Sequence, residues 1–271
     1  MPRDLRIWLG GGFILLLLIA AVFAPLIAPF DPLEQDLMTA TMAPGQEPGR
    51  WLGTDSLGRD VLSRMIHATR IALTVAFVAA ILACLLGTVL GLLAGYFGGW
   101  LDALISRLID IWMAFPPVLL SILLVAVLGS GIHSVIAAIV VIDWTRFARV
   151  VRAETLQQAR LEYAEAASAL GMGRLAILMR EILPNVLPVV LVLLSLEMGI
   201  AVIVEAILSF VGLSVSTDTP TWGGMIAEGR QIIYQAWWVL VFPLAALFLT
   251  VLAFNQLGDG LRQWLDPVLK R

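Results

Sequence analysis

Few residues in this 271-residue sequence combine the chemistry and the surroundings to act on a substrate. His133, Asp143, Glu197 and Glu205 fall in or beside long apolar stretches, where an ionisable group is a functional candidate by default. They lack the company that bond-breaking chemistry needs. The sequence contains no His-Glu-x-x-His run and no Gly-x-Ser-x-Gly elbow, and His67 and His133 are its only histidines. Two dispersed histidines are also a weak signal for a metal site, and ordinary polar contacts are their default. A P-loop ATPase needs a lysine after its glycines to reach the phosphates, whereas the only lysine is Lys270, the penultimate residue. The single cysteine, Cys84, excludes an intrachain disulfide and a thiolate cluster and reads as a packing residue in an apolar run. The residues therefore describe a protein that is not an enzyme, with no catalytic residue, no metal site and no cofactor of its own.

Glu197 and Glu205 stand eight residues apart, which places them within roughly 80° of each other around a helix. A shared face of this kind looks into a bundle or a translocation path, or bonds to neighbouring helices. Asn255, in a later apolar stretch, has the same two readings.

The most patterned polar stretch spans about residues 154–184. Leu156, Ala159, Tyr163, Ala166 and Leu170 recur at spacings of three and four, drawing one apolar face, with Glu154, Gln158, Glu162 and Glu165 off it. Gly171-Met172-Gly173 interrupts that pattern, and a second helical run from Arg174 to Leu183 is expected to stop at Pro184, which has no N–H to donate. Helix, glycine turn, helix can lie passively in a membrane interface or project as a docking element for a partner. A polar connection this long is usually functional or disordered, and the periodicity argues against disorder.

Such a loop must be carried by something, and the composition says what. Hydrophobic residues make up 60% of the chain and charged ones 14%, far from the balance of a water-soluble domain, and the mean hydropathy is +0.95. Apolar stretches long enough for a bilayer fall at about 7–27, 71–95, 105–128, 132–151, 186–212 and 237–257. The chain is thus expected to be an all-α integral membrane protein with about six transmembrane helices. Residues 1–29 form the first helix, uncleaved because Pro25 and Pro29 stand where small cleavage-site residues belong. Residues 30–69, rich in Pro and Gly, form an extracytoplasmic segment, and residues 70–271 form the membrane core with its loop at about 154–184.

The net charge of −3 points to no nucleic-acid partner, but the distribution of basic residues sets an orientation. With the N-terminus in the cytoplasm, the inside segments collect Arg3, Arg6, Arg107, Arg146, Arg149, Arg152, Arg160, Arg174, Arg180, Arg262, Lys270 and Arg271. Only Arg50, Arg59, Arg64, Arg70 and Arg230 remain outside. Both termini are therefore expected in the cytoplasm. Trp100, Trp144, Trp237, Trp238 and Trp264 lie near span edges, as an interfacial aromatic belt would place them among membrane lipid.

Glu165-Ala166-Ala167, then Gly171, then Ile182-Leu183-Pro184 resembles the EAA loop of ABC importer permeases, with Ile182 one residue nearer Leu183 than in the general pattern. From Pro29 onward other stretches resemble the C-type permeases of dipeptide, oligopeptide and nickel importers. These are Trp51-Leu52-Gly53-Thr54-Asp55-Ser56-Leu57-Gly58-Arg59-Asp60, Gly95-Tyr96-Phe97-Gly98-Gly99, Ala114-Phe115-Pro116, Leu208-Ser209-Phe210-Val211-Gly212-Leu213 and the run from Ala253 to Arg262.

The resemblance implies a type I importer permease fold in a bacterial inner membrane. It also implies a second homologous permease as heterodimer partner, two ATP-binding cassette ATPases that carry ATP and Mg, and an extracytoplasmic substrate-binding protein. On that resemblance Glu165, Ala166, Ala167, Gly171, Ile182, Leu183 and Pro184 belong to the ATPase-coupling element, and the cargo is a di- or oligopeptide in preference to nickel. An ion-gradient-driven secondary transporter is the alternative class; it predicts inverted repeats with matching broken helices, which the halves of this sequence do not show.

Overall fold

The computed structural model describes residues 3–215 and 218–265; the placement of Lys270 and Arg271 on the inner side falls outside them. Among the described residues the regular structure is helical, with one isolated bridge between Thr54 and Asp60 and no strand. The helices are α1 (Arg3–Val22), α2 (Ala24–Ile27), α3 (Val61–Phe97), α4 (Gly99–Met113), α5 (Pro117–Leu128), α6 (Ile132–Gln158), α7 (Glu162–Ala169), α8 (Arg174–Ile177), α9 (Leu183–Phe210), α10 (Trp222–Gln231) and α11 (Trp238–Leu265).

Four stretches are long and apolar enough to cross a membrane: Leu5–Val22, Val61–Phe97, Arg174–Phe210 and Trp238–Leu265. The expected third span is not one rod. It is the pair α4 and α5, bent by 89° around the Ala114-Phe115-Pro116 break, which makes a fifth crossing if the two helices serve as one span. Pro116 and Pro117 cause the break, because each lacks an N–H and restricts the residue before it. The expected fourth span, α6, carries Asp143, Arg146, Arg149, Arg152 and Glu154 and is too charged to count as apolar. Its 27 residues still reach about 40 Å, more than a hydrocarbon core requires.

What lets α6 lie within the bundle is a seam with α3. Gly87, Gly91 and Gly95 stand at spacings of four on α3 and face the α6 backbone. A Cβ at Gly91 would lie 2.7 Å from the Ala148 carbonyl oxygen, and one at Gly95 would lie 2.7 Å from that of Arg152. Small residues at this spacing let two helix backbones touch, which is how membrane helices gain packing energy where lipid removes the hydrophobic drive. The two helices run in the same direction, so Phe97 and Gln158 end near one face of the bundle, called here the loop end. Val61 and Ile132 start at the opposite end.

The helix α3 begins at Val61, ten residues before the expected Ile71, because Asp60 caps it: its carboxylate accepts from the Ser63 N–H and hydroxyl, both at 2.7 Å. The preceding irregular segment packs on the bundle. Trp238 donates its indole N–H to the Thr54 carbonyl at 3.0 Å, and a Cβ on Gly58 would run into the Asp36 backbone. Trp238 is consequently buried, and Trp144 is buried separately in the cluster with Ala94, Ile105 and Ala148. Only Trp100, Trp237 and Trp264 of the expected aromatic belt are exposed.

Candidate functional site

Beyond Gln158 the chain turns through 159–161 and starts the eight-residue α7. The break shifts the helical phase. The residues buried from α7 are Ala164 and Ala167, not the expected Tyr163, Ala166 and Leu170, and Leu170 is 88% exposed. Ala164 and Ala167 share a cluster with Phe147 and Val151 of α6, Leu92 of α3, and Ile177, Leu178 and Ile182 from the far limb of the loop. Tyr163 donates its hydroxyl to the Gln158 side chain at 2.8 Å, and burial pushes its phenol above the ordinary range, so it stays a neutral donor. Thus the inner face of the loop is fastened to the bundle. The outer face presents Leu161, Glu162, Glu165, Ala166, Leu170 and Leu175 to the surroundings.

Gly171 closes α7. Its φ is +83°, its N–H reaches the Ser168 carbonyl at 3.0 Å, and the Met172 N–H reaches that of Ala167 at 3.1 Å. This is the Schellman ending, which asks for a left-handed residue at this position and so for glycine. A Cβ there would touch nothing within 4 Å of this chain, so the requirement is conformational. Leu208 to Leu213 repeats the geometry at the end of α9, with Gly212 at φ +77° and Leu213 bonded to the Leu208 carbonyl at 2.9 Å.

Pro184 does not stop the second limb. Between α8 and α9, residues Leu178–Ile182 form a π-helical turn in which the Leu183 N–H returns to the Leu178 carbonyl. An extra residue in the turn gives the proline ring room that an α-helix would not, and Pro184 falls in the first turn of α9. The Asn185 side chain donates to the Glu181 carbonyl at 2.7 Å. From Arg174 to Phe210 the chain is therefore one continuous helical rod, with Ile182 fully buried in its cluster. Of the coupling residues expected from the sequence, Ala167 and Ile182 form the anchored face. Glu165, Ala166, Gly171 and Pro184 are exposed, and Leu183 is partly buried.

Each arginine of α6 has an acid within reach. Arg152 makes a two-pronged pair with Asp102 at the start of α4, with Nη2 to Oδ2 at 2.8 Å. Arg149 reaches Asp110 of α4 at 3.3 Å. Arg146 crosses to α9, where its Nη1 lies 3.0 Å from Glu197 Oε1, and its Nη2 is 3.8 Å from Asp143 Oδ1. Glu205, eight residues on, accepts from the Ser209 hydroxyl at 2.6 Å and the Ser214 hydroxyl at 3.2 Å, and is buried. The two glutamates thus point to separate sets of partners within this chain.

At the opposite end a second network had no counterpart in the sequence reading beyond its motif. Asp55 accepts from the Leu57 and Arg59 N–H groups at 2.9 and 3.0 Å and from Arg59 Nε at 2.7 Å, and pairs with Arg64. Both arginines also reach Glu228 of α10, at 3.0 Å from Arg59 and 2.7 Å from Arg64. Two acids and two arginines balance in charge and bind the segment before α3 to α10, so the Thr54–Asp60 motif is a structural clasp. His67 turns Nδ1 to the Ser63 carbonyl at 2.9 Å, and His133 is exposed at the start of α6. The signals for these networks were Gly-x-x-x-Gly spacing on α3 and acid–arginine spacing on α6; no local pattern announces the pairing of Arg64 with Glu228.

A multi-pass helical bundle with a long polar two-helix loop, fastened beneath and exposed above, is the architecture of an importer permease subunit. The comparisons agree. The family described as "Binding-protein-dependent transport system inner membrane component" matches residues 87–271, and "N-terminal TM domain of oligopeptide transport permease C" matches residues 7–44. The chain belongs to this family of ABC importer permeases of bacterial inner membranes.

It is 44% identical over 258 residues to the glutathione transport system permease protein GsiD of Shigella dysenteriae, covering 95% of this chain and 85% of that one. It is 43% identical over 261 residues to GsiD of Pectobacterium atrosepticum, covering 96% and 86%. Among solved structures the fold is shared with the MetNI methionine ABC transporter in inward-facing form, at a TM-score of 0.64 and 20% identity over 75% of this chain and 96% of that one. An amino acid ABC transporter with histidines gives 0.59 and 18%, over 75% and 95%.

Proposed function

We propose that this permease forms half of a translocation path for a small peptide, with glutathione-like and di- or oligopeptide cargo as the class, paired with a second homologous permease. The observation that carries the coupling part is the exposed α7, whose outer face holds Glu165 and Ala166 while its inner face is locked to α3, α6 and the α8–α9 rod. A face so held transmits force, because a displacement of α7 has no slack to take up before it reaches α9. Small alanines admit a close partner surface, and Glu165 offers a carboxylate at its rim.

In this reading two partner ATPases bind ATP and Mg, close on each other, and draw the loops with them, so the spans change between inward- and outward-facing states. Glu165, Ala166, Ala167, Gly171, Ile182, Leu183 and Pro184 are the coupling set. The α9 wall beside the path carries Glu197 and Glu205, each engaged with partners in this conformation. Both termini and the loop lie in the cytoplasm, and a binding protein delivers cargo at the opposite end. The peptide class is supported by the oligopeptide permease match over residues 7–44 and by the names of the relatives.

Affinity purification of the tagged chain in mild detergent, with mass spectrometry of what remains bound, tests this. A second permease and ATPase subunits are expected. Purification alone, with transport driven by an ion gradient without ATP, overturns it.

A further inference from the structure

Two acids meet one base around Arg146. It sits between two buried carboxylates, Glu197 on α9 with a side chain 1% exposed and Asp143 on its own helix at 4%, while Arg146 itself is 31% exposed. Two carboxyl groups this close share a proton, so one charge balances Arg146 and the second acid is left for another use. Their positions supply one. The helices α3, α4 and α6 are fixed to one another by the glycine seam and by Arg152 with Asp102. The coupling limb and α9 form one rod, with Glu197 about 21 Å along the axis from Leu183. Among the described residues, Arg146 with Glu197 is the only salt bridge joining that rod to α6.

We propose that Arg146 is a positioning residue that passes from Glu197 to Asp143 when α9 shifts against α6, so that movement of the coupling loop is registered inside the membrane. Asp143 lies one helical turn from Arg146 on the same helix, and therefore stays within reach whatever α9 does. Glu197 travels with the rod. When it leaves, the guanidinium keeps a counter-charge in Asp143. Two discrete pairings give the joint two stable positions, which a continuous apolar contact would not.

The inference rests on the coupling reading above, and the test separates the two. The complete importer is reconstituted with its ATPases and binding protein, and ATP hydrolysis and cargo transport are measured for Asp143→Asn, Glu197→Gln and Gly171→Val, with the yield of assembled complex as a control. Glu197→Gln releases the joint, so basal hydrolysis is expected to rise severalfold while transport per ATP falls. Asp143→Asn removes the landing site but leaves the pair to Glu197, so stimulation of hydrolysis by loaded binding protein is expected to fall severalfold at normal assembly.

A purely structural cluster would lower assembly and leave transport per ATP and stimulation unchanged in whatever complex forms; that result overturns the proposal. Should Glu197→Gln fail to assemble, Asp143→Asn decides, and wild-type stimulation in it overturns the proposal. Uncoupling in Gly171→Val alone defeats this inference only, whereas normal transport in Gly171→Val defeats the coupling reading itself.

Discussion

The Met172 N–H donates to the Ala167 carbonyl at 3.1 Å, and Gly171 between them adopts the φ of +83° that the return requires. The residue that faces the alanine cluster and the residue that ends the helix are thereby locked in register. A β-branched residue at Gly171 costs about 1–2 kcal/mol of backbone strain before any contact with a partner is considered. Gly171→Val is expected to express and assemble less well and to hydrolyse ATP without transport, which paired assays in proteoliposomes will check.

Glu165 is exposed on the outer face of α7. Reversing its charge with Glu165→Lys is expected to leave the thermal stability of the isolated chain unchanged and to reduce the ATPase that co-purifies with it. Wild-type recovery of the ATPase would remove Glu165 from the docking surface.

The α3–α6 seam has no room at Gly91, where a Cβ would lie 2.7 Å from the Ala148 oxygen and 2.8 Å from the Val151 Cβ. Gly91→Leu forces the helices apart and is expected to cost about 3 kcal/mol, the upper range for overpacking. A loss of monodisperse protein in size-exclusion chromatography, with a lowered Tm for what survives, is the measurement. Gly12, where a Cβ meets nothing within 4 Å, tolerates Gly12→Ala as the control.

Arg64→Met removes one arginine from the clasp at the opposite end. Arg59 still reaches Asp55 and Glu228, so the expected cost is about 3 kcal/mol, the lower end for breaking a buried pair. The segment before α3 should loosen first, seen as faster proteolysis between residues 30 and 60 with the span helices intact.

Orientation is open to direct labelling. Asp55 is buried and is a poor probe, whereas Pro48 and Ser168 are exposed at opposite ends of the bundle. In a Cys84→Ser background, an impermeant thiol reagent applied from outside is expected to label Pro48→Cys and to spare Ser168→Cys. The reverse pattern inverts the chain.

Much of this was written locally. Apolar length marked the spans, because a bilayer demands it residue by residue. The glycine after α7 and the EAA-like spacing marked the loop, because a Schellman ending and the face of a short helix are made by neighbours in sequence. What local pattern misjudged depended on a break or on distant partners. The phase of α7 shifted at the 159–161 turn, exchanging Ala166 and Leu170 for Ala164 and Ala167. Pro184 was absorbed by a π turn that no residue in isolation announces. The acids that Arg146, Arg149 and Arg152 of α6 meet on α9 and α4 are set by packing, not by local spacing.

By itself, then, the sequence determined the membrane and the family and marked the two-helix loop, since hydropathy and short motifs are properties of adjacent residues. Tertiary structure alone decided that Arg64 meets Glu228 and that Arg146 lies between Asp143 and Glu197. Arg64 with Glu228 and Arg146 with Glu197 each join residues on different elements, and charges in a low-dielectric interior take whichever partner the packing of helices brings within reach.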